Sequence, residues 1–196
     1  HVTDLHVAWG LLGWVGLLVV GVAYQVIPMF QMTPEFPRRL TRWLAPALFA
    51  ALAVWSLSIF FTLRLTLPAF IAPLLATLPV LGYALFAVII LRLQQRRRRR
   101  LPDVTVLFWR IASLSIVTAA VLWCAGPLWP AAYAGHRVML WGVLIIVGFG
   151  VSAINGMLYK IVPFLVWLHL QSGGGRGRLT NMKEIIPDER ARRQWW

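Results

Sequence analysis

The stretch His6–Phe30, HVAWGLLGWVGLLVVGVAYQVIPMF, decides the fold class of this chain. Its 25 residues carry no charge, and this is about the length that a helix needs to cross the hydrocarbon core of a bilayer. Gly10, Gly13 and Gly16 recur at near-helical spacing, which lets another backbone or a flat cofactor come close. A histidine at the start of such a helix is costly unless it is solvated or used. We therefore expect the function to lie near this helix.

The composition of the whole chain agrees with this stretch. Its 196 residues are 60% hydrophobic and carry a net charge of +13, with a mean hydropathy of +0.74. The charges are confined between long apolar runs, which indicates an all-α integral membrane protein. The basic excess is therefore expected to meet anionic lipid at the cytoplasmic face, and no nucleic-acid partner is expected.

Five apolar runs are long enough to cross a membrane as tilted helices. The sequence predicts spans at about 5–30, 43–63, 68–91, 107–129 and 138–168. Together they form one transmembrane helical domain over 1–170. Residues 171–196 form a basic cytoplasmic tail that could lead into a further helix, because it ends in the interfacial residues Trp195 and Trp196.

The first apolar run has no basic segment before it and no small-residue cleavage site after it. It is therefore predicted to be a membrane helix and not a signal peptide. Because the tail resembles the approach to another helix, we expect the chain to be a piece of a longer protein. The alternative is a mature protein that ends in an ordinary interfacial tail.

Basic residues concentrate on one side of the predicted membrane. Of the 19 Lys and Arg residues, 16 fall in the loop after the first span, around the loop after the third span, or in the tail. The opposite side holds only Arg64 and Arg137, while Lys160 lies inside the fifth span and can snorkel to the inner surface. The positive-inside rule places the N-terminus outside and the tail in the cytoplasm, in a cell inner (plasma) membrane. Tryptophans at the span ends are predicted interfacial anchors: Trp43, Trp109, Trp129 and Trp167.

The first and fifth spans resemble each other when the sequence is shifted by 135 positions. The motifs GVAYQVIPMF and GMLYKIVPFL then align, and both spans run in the same direction. The sequence therefore predicts a parallel repeat four helices long. The aligned pairs are His1 with His136, Gly13 with Gly148, Gly21 with Gly156, Tyr24 with Tyr159, and Pro28 with Pro163.

The apolar runs also contain two prolines and a cysteine that need an interpretation. Pro73 and Pro79 are predicted to kink the third span, either as part of a gate or as ordinary membrane-helix irregularity. Cys124 is the only cysteine, so no internal disulfide is available. It is predicted to be a small core residue.

The spans contain few groups that could carry chemistry. No Asp or Glu falls within a predicted span, which disfavours a proton-coupled permease. Lys160, Asn155 and Gln25 are polar residues inside spans, and Tyr24 and Tyr159 could border a proton or electron path or act as interfacial tyrosines.

The histidines are therefore the main candidates for a site. His6 and His136 begin the first and fifth spans on the same side of the membrane, with His1 nearby in sequence. Imidazole binds heme iron, copper and zinc, and two histidines at one depth could hold a heme between two helices. Gly10 and Gly13 would make room for the porphyrin. The alternative is that these histidines simply face water.

Two polar residues shortly before His6 could stabilise the start of the first helix. Thr3 and Asp4 are predicted to cap the first helix. Asp4 could instead hold the second ring nitrogen of a ligating histidine.

The motif HVAWGLLGWVG, followed by G-x-x-Y-x-x-x-P, resembles the tenth helix of heme–copper oxidase subunit I, and is most similar to C-type oxidases and NnrS-like proteins. In that family the helix carries His-x-His ahead of the glycines. The first histidine binds the high-spin heme and the second binds the low-spin heme. His6 matches the first position, and Ala8 stands at the second.

The resemblance implies a ring of repeated four-helix units with hemes near the outer side. It also implies an iron-containing heme protein connected with electron transport or nitric oxide stress. The predicted function is therefore heme b binding for redox chemistry, gas response or stress protection, with copper as a further candidate metal. The alternatives are a cofactor-free structural or assembly subunit that associates with other membrane subunits, or a permease-like transporter.

Overall fold

The computed structural model describes residues 2–65, 68, 70–98, 103–128 and 134–172. Within these ranges every regular element is helical, and five helices are long and apolar enough to cross a membrane. The prediction of an all-helical fold with five helices that could span a membrane is thus confirmed. His1, Trp129 and nearly all of the predicted tail lie outside the described residues.

The five long helices follow the five apolar runs. The fourth helix ends at Cys124, before the predicted end at Trp129, and a short 3-10 turn, Gly126–Leu128, follows it. The helices are α1, Val2–Gln31; α2, Arg38–Leu65; α3, Ile71–Gln95; α4, Val104–Cys124; and α5, which consists of Ala134–Val143, Leu144–Val151 and Ser152–Ser172.

Helices α1 and α5 each contain a π-helical segment. The first covers Trp9–Gly16 and the second covers Leu144–Val151, so each has eight residues and the second begins 135 positions after the first. A π-helix, with its i→i+5 bonds, is rare and frequently occurs at functional sites. The two segments pack against each other across the α1–α5 contact.

The helices form one bundle with a shared core. Helix α1 packs on α2 and α5, and α4 packs between α3 and α5. Buried residues from all five helices form a single hydrophobic cluster. The two ends of the bundle are named here by residues of α1: the His6 end holds the starts of α1, α3 and α5, and the Gln31 end holds their opposite ends.

Large aromatic side chains fill the centre of the bundle. Trp109, Tyr83 and Phe86 are almost completely inaccessible, and each buries a large apolar area. Leu, Val, Ile and Phe side chains cover the outside of all five helices, as expected of a surface that faces lipid. Lipid tails are as apolar as leucine, so the helices associate through close packing and hydrogen bonds.

The structure corrects three sequence-based expectations about single residues. Trp109 was expected at the membrane interface but is fully buried in the core. Cys124 was expected in the core but is exposed. Pro73 lies in the first turn of α3, where a missing N–H costs no helix hydrogen bond, so only Pro79 interrupts the helix interior.

Side chains from α2 and α3 anchor the π-helical segment of α1. The Tyr83 hydroxyl donates a hydrogen bond to the carbonyl of Leu12 inside that segment. The indole Nε1 of Trp9 donates to Ser56 Oγ at 2.9 Å, and Ser56 in turn donates to the Leu52 carbonyl. These hydrogen bonds from neighbouring helices offset part of the lower stability of the wider π-helical turn.

The Gln31 end carries several polar groups within the apolar bundle. Gln94 Nε2 donates to Gln31 Oε1 at 2.9 Å, and both side chains are buried. On the other side of this end, Lys160 forms an ion pair with Asp103, so Lys160 does not depend on snorkelling to be satisfied. Together these contacts join α1 to α3 and α5 to the start of α4.

Two glycines of α5 pack closely against α4. A Cβ atom added to Gly148 would overlap the side chain of Ser115, whose Cβ lies 2.6 Å from that position. A Cβ at Gly156 would lie 2.9 Å from Phe108 Cβ and 3.3 Å from Trp109 Cδ1. Glycine at these two positions therefore sets the distance between the two helices.

Gly148→Ala is expected to lower the stability of the bundle, because the new methyl group must push α5 away from Ser115. Overpacking of this kind costs about 1–3 kcal/mol, which a thermal unfolding midpoint in detergent should detect. Gly142→Ala is the matched control, since a Cβ there meets nothing within 4 Å. If both variants unfold at the wild-type temperature, the close contact does not exist. Ser115→Gly in the Gly148→Ala background should restore stability.

Candidate functional site

A cavity of about 750 Å³ opens at the His6 end of the bundle. All five helices contribute to its wall, and the wall is almost entirely apolar. Its volume is in the range of pockets that hold cofactors or drug-sized molecules. The described lining residues are Asp4, Val7, Ala8, Leu11, Leu12, Leu52, Trp55, Ile59, Thr62, Ala72, Pro73, Ala76, Pro79, Val80, Trp123, Val138, Trp141 and Ile145.

One face of α1 forms a wall of this cavity. Asp4, Ala8 and Leu11 follow one another at helical spacing, so they project from the same side of the helix. The motif of α1 resembles a helix that carries two heme-binding histidines, and Ala8 stands at the position of the second one. The small side chain at that position leaves room in the cavity and supplies no metal ligand.

A second hollow of about 690 Å³ adjoins the cavity between α3, α4 and α5. The two share wall residues, among them Pro73, Trp123 and Trp141. Cys124 and Arg137 line the second hollow. Arg137 is held in place because its guanidinium donates to the carbonyl of Gly126 at 2.7 Å.

His6 points away from the cavity. It lies two residues from Asp4 and from Ala8, which is a rotation of roughly 200° around the helix from each. His6 is exposed, and so is Gly10 one turn later. A Cβ at Gly10 would meet nothing within 4 Å, whereas a Cβ at Gly13 would lie 2.8 Å from the indole of Trp9. The expected glycine-lined face therefore consists of Gly10 alone.

His136 also lies off the cavity wall. It is exposed at the start of α5, while Val138, two residues later, lines both hollows. The structure thus places His6 and His136 at the same end of the bundle, each on a side of its helix that the cavity does not reach. His1, the third candidate histidine, lies outside the described residues.

The cavity wall does not fit a ligated heme. Among its described residues there is no histidine, cysteine, methionine or tyrosine, the side chains that bind heme iron. No group of three or more His, Cys, Asp or Glu residues in the described ranges could hold a metal ion. The outward His6–Gly10 face fits better, because it offers an imidazole with open space one turn away.

Asp4 lies at the edge of the cavity, in the first turn of α1 together with Thr3. A carboxylate there is favourable because it meets the positive end of the helix dipole. The capping role of these two residues stays a prediction.

The tyrosines proposed for a conduction path belong to two separate aromatic clusters. Tyr24 packs edge-to-face on Phe36 and Phe86, with ring centroids 5.2 and 6.3 Å away. Tyr159 stacks on Phe108 at 5.9 Å. Both lie in the half of the bundle nearer the Gln31 end, away from the cavity.

Sequence reasoning missed the tryptophans of the cavity wall, Trp55, Trp123 and Trp141. Trp123 and Trp141 also contact each other, with ring centroids 5.7 Å apart. Trp141 Nε1 donates to the carbonyl of Ala119 at 2.9 Å, which ties α5 to α4. Trp55 lies well inside the second predicted span, not at its end, and this position was the available signal for an inward role.

Comparison with protein-family models, with curated proteins and with solved structures finds no match to this chain.

Ala8→Leu is expected to stabilise the protein, because the larger side chain fills part of the cavity without displacing a packed neighbour. Cavity filling commonly adds about 0.5–2 kcal/mol. Ala153→Leu is the matched control and should destabilise, since Ala153 is fully buried in the packed core. Thermal unfolding in detergent measures both. A destabilised Ala8→Leu variant would mean that the cavity is closed or already filled.

Proposed function

We propose that this chain is a unit of a heme–copper-oxidase-like membrane protein that binds heme b for redox chemistry, gas response or stress protection. The observation that carries the proposal is the position of His6 and Gly10 on one stripe of α1, within the motif that resembles the heme-bearing helix of that family. On this stripe an imidazole and open space occur together.

The heme would lie on the outward side of α1 and not in the cavity. His6 would supply one axial nitrogen, and His136 or His1 would be the candidates for a second. Gly10 would leave room for the flat macrocycle. A bound heme b supplies one-electron redox chemistry and a site for a diatomic gas. Copper remains a further candidate metal for the same histidines.

The two π-helical segments support the parallel four-helix repeat. Their 135-residue separation equals the shift that aligns the motifs of α1 and α5. Gly21 and Gly156 then follow their π segments by the same number of residues, as do Pro28 and Pro163. The chain would accordingly hold one four-helix unit and the first helix of the next.

The distribution of basic residues supports an orientation with the His6 end outside. Arg38, Arg39 and Arg42 begin α2 at the Gln31 end, and Arg92 and Arg96 end α3 there. This end would then face the cytoplasm and the anionic lipid of a bacterial inner membrane.

The optical spectrum of the purified protein in detergent tests the proposal. We expect a b-type reduced-minus-oxidised spectrum with about one heme per chain, and loss of most of the Soret absorbance in His6→Ala because an axial nitrogen is removed. His169→Ala is the control, because His169 lies at the Gln31 end of α5. A Soret band of equal height in wild type and His6→Ala would reject His6 as the ligand.

A second candidate function is a cofactor-free structural or assembly subunit. The observation in its favour is Ala8 at the position of a heme ligand, with no histidine, cysteine, methionine or tyrosine among the described residues of the large cavity. A subunit of this kind would purify colourless and metal-free while remaining bound to other membrane subunits. Isolation as a stable monomer with bound heme would argue against it.

A further inference from the structure

We propose that the second hollow binds a membrane phospholipid, with the lipid phosphate on the guanidinium of Arg137 and one hydrocarbon chain along the hollow. This hollow of about 690 Å³ lies between α3, α4 and α5 at the His6 end of the bundle. Its wall is almost entirely apolar, and Arg137 is the charged side chain among its described lining residues. The inference uses neither the heme nor the internal repeat of the proposed function.

Arg137 has the charge and the donors that a phosphate needs. Its side chain is half-buried, and one N–H group donates to the Gly126 carbonyl at 2.7 Å. A guanidinium carries five N–H donors in a rigid fork, so donors remain for an anion. The ion pair formed within the described ranges joins Lys160 to Asp103, so Arg137 has no carboxylate partner there. Because charges that leave water need a partner of opposite sign, we expect an anionic group at Arg137.

The depth of Arg137 fits a lipid headgroup. It lies in the first turn of the segment Ala134–Val143, at the end of the bundle. Trp141 follows on the same side of α5, one turn and about 6 Å farther into the bundle, and it lines the same hollow together with Leu74 and Trp123. A lipid whose phosphate contacts Arg137 would therefore extend its chain along apolar side chains.

The wall of the hollow favours a hydrocarbon chain over a polypeptide segment. Backbone N–H and C=O groups need partners in apolar surroundings. Two polar side chains of the wall are already used, because Thr77 donates to the Leu74 carbonyl and Trp141 donates to the Ala119 carbonyl. An extended segment would leave its backbone unpaired there, and a helix about 10–12 Å across would cover the hollow from outside without entering it.

A free phosphate ion would meet half of the requirement. It would pair with Arg137, but it would leave the apolar wall in contact with water, which costs free energy in proportion to the apolar area. A phospholipid places its phosphate on the guanidinium and its chain on the wall. It is therefore the occupant that matches both the charge and the apolar surface.

Cys124 gives the hollow a reporter of its occupancy. It is the only cysteine of the chain, it is exposed, and it lines the hollow. Delipidated full chain in detergent is treated with N-ethylmaleimide, with and without dioleoyl phosphatidylglycerol, and mass spectrometry follows the labelled fraction. Labelling should slow roughly tenfold when the lipid stands at about ten times its Kd, because only the empty fraction reacts.

Two probes separate the phosphate from the chain. Dioleoylglycerol has the same chains without phosphate, and inorganic phosphate has the anion without chains, so neither should protect Cys124. In Arg137→Gln the Kd of the phospholipid should rise about tenfold, since a hydrogen bond to a charged group is lost. Arg137→Lys keeps the charge without the fork and should fall between the two. Arg42→Gln removes a charge at the Gln31 end and should keep the wild-type Kd.

A variant of the wall tests the inference without touching Arg137. Thr77→Phe narrows the hollow and should weaken protection by the phospholipid. Leu81→Phe is its control, because Leu81 is exposed on the same helix and lies outside the described walls of both hollows.

Four results would overturn the inference. The first is labelling that the phospholipid does not slow, and the second is equal protection by dioleoylglycerol or by inorganic phosphate. The third is a wild-type Kd in Arg137→Gln. The fourth is protection without lipid: labelling that slows with protein concentration would mean that a second copy covers the hollow, and delipidated protein that does not react would mean that another segment of the protein does.

Discussion

The structure depends on the requirement that every backbone N–H and C=O group in a bilayer finds a partner within the protein. Helices satisfy this requirement locally, which is why five apolar runs become five helices. The π-helical segments Trp9–Gly16 and Leu144–Val151 are two places where the regular bond pattern changes. There the neighbours contribute, as when the Tyr83 hydroxyl donates to the Leu12 carbonyl. The two segments lie where α1 and α5 meet.

Small side chains then decide how closely the helices approach. Gly148 and Gly156 bring α5 against Ser115 and Trp109 of α4, while the equivalent side of α1 stays open at Gly21. The same sequence motif therefore produces a filled interface on one helix and an empty one on the other.

The His6 end and the Gln31 end have different characters. The His6 end opens into apolar hollows lined by tryptophans, whereas the Gln31 end is closed by the Gln31–Gln94 bond and the Lys160–Asp103 ion pair. The polar contacts that join the helices by side chains at the Gln31 end thus lie away from the apolar hollows. His6 takes part in neither, because it projects from the opposite side of α1. Any function of His6 must therefore involve that outward side.

The sequence alone is sufficient to predict a helical protein with five apolar helices, because a long run of uncharged apolar residues is a local property. It also predicts a repeat that relates α1 to α5, from motifs 135 positions apart, and this repeat stays a prediction. Which sides of the helices face the cavity becomes visible in the packed bundle alone. Trp109 and Cys124 exchanged their expected environments, and Ala8, not His6, lines the large cavity. The physical reason is that a helix that is apolar all round carries no pattern that says which side packs inward.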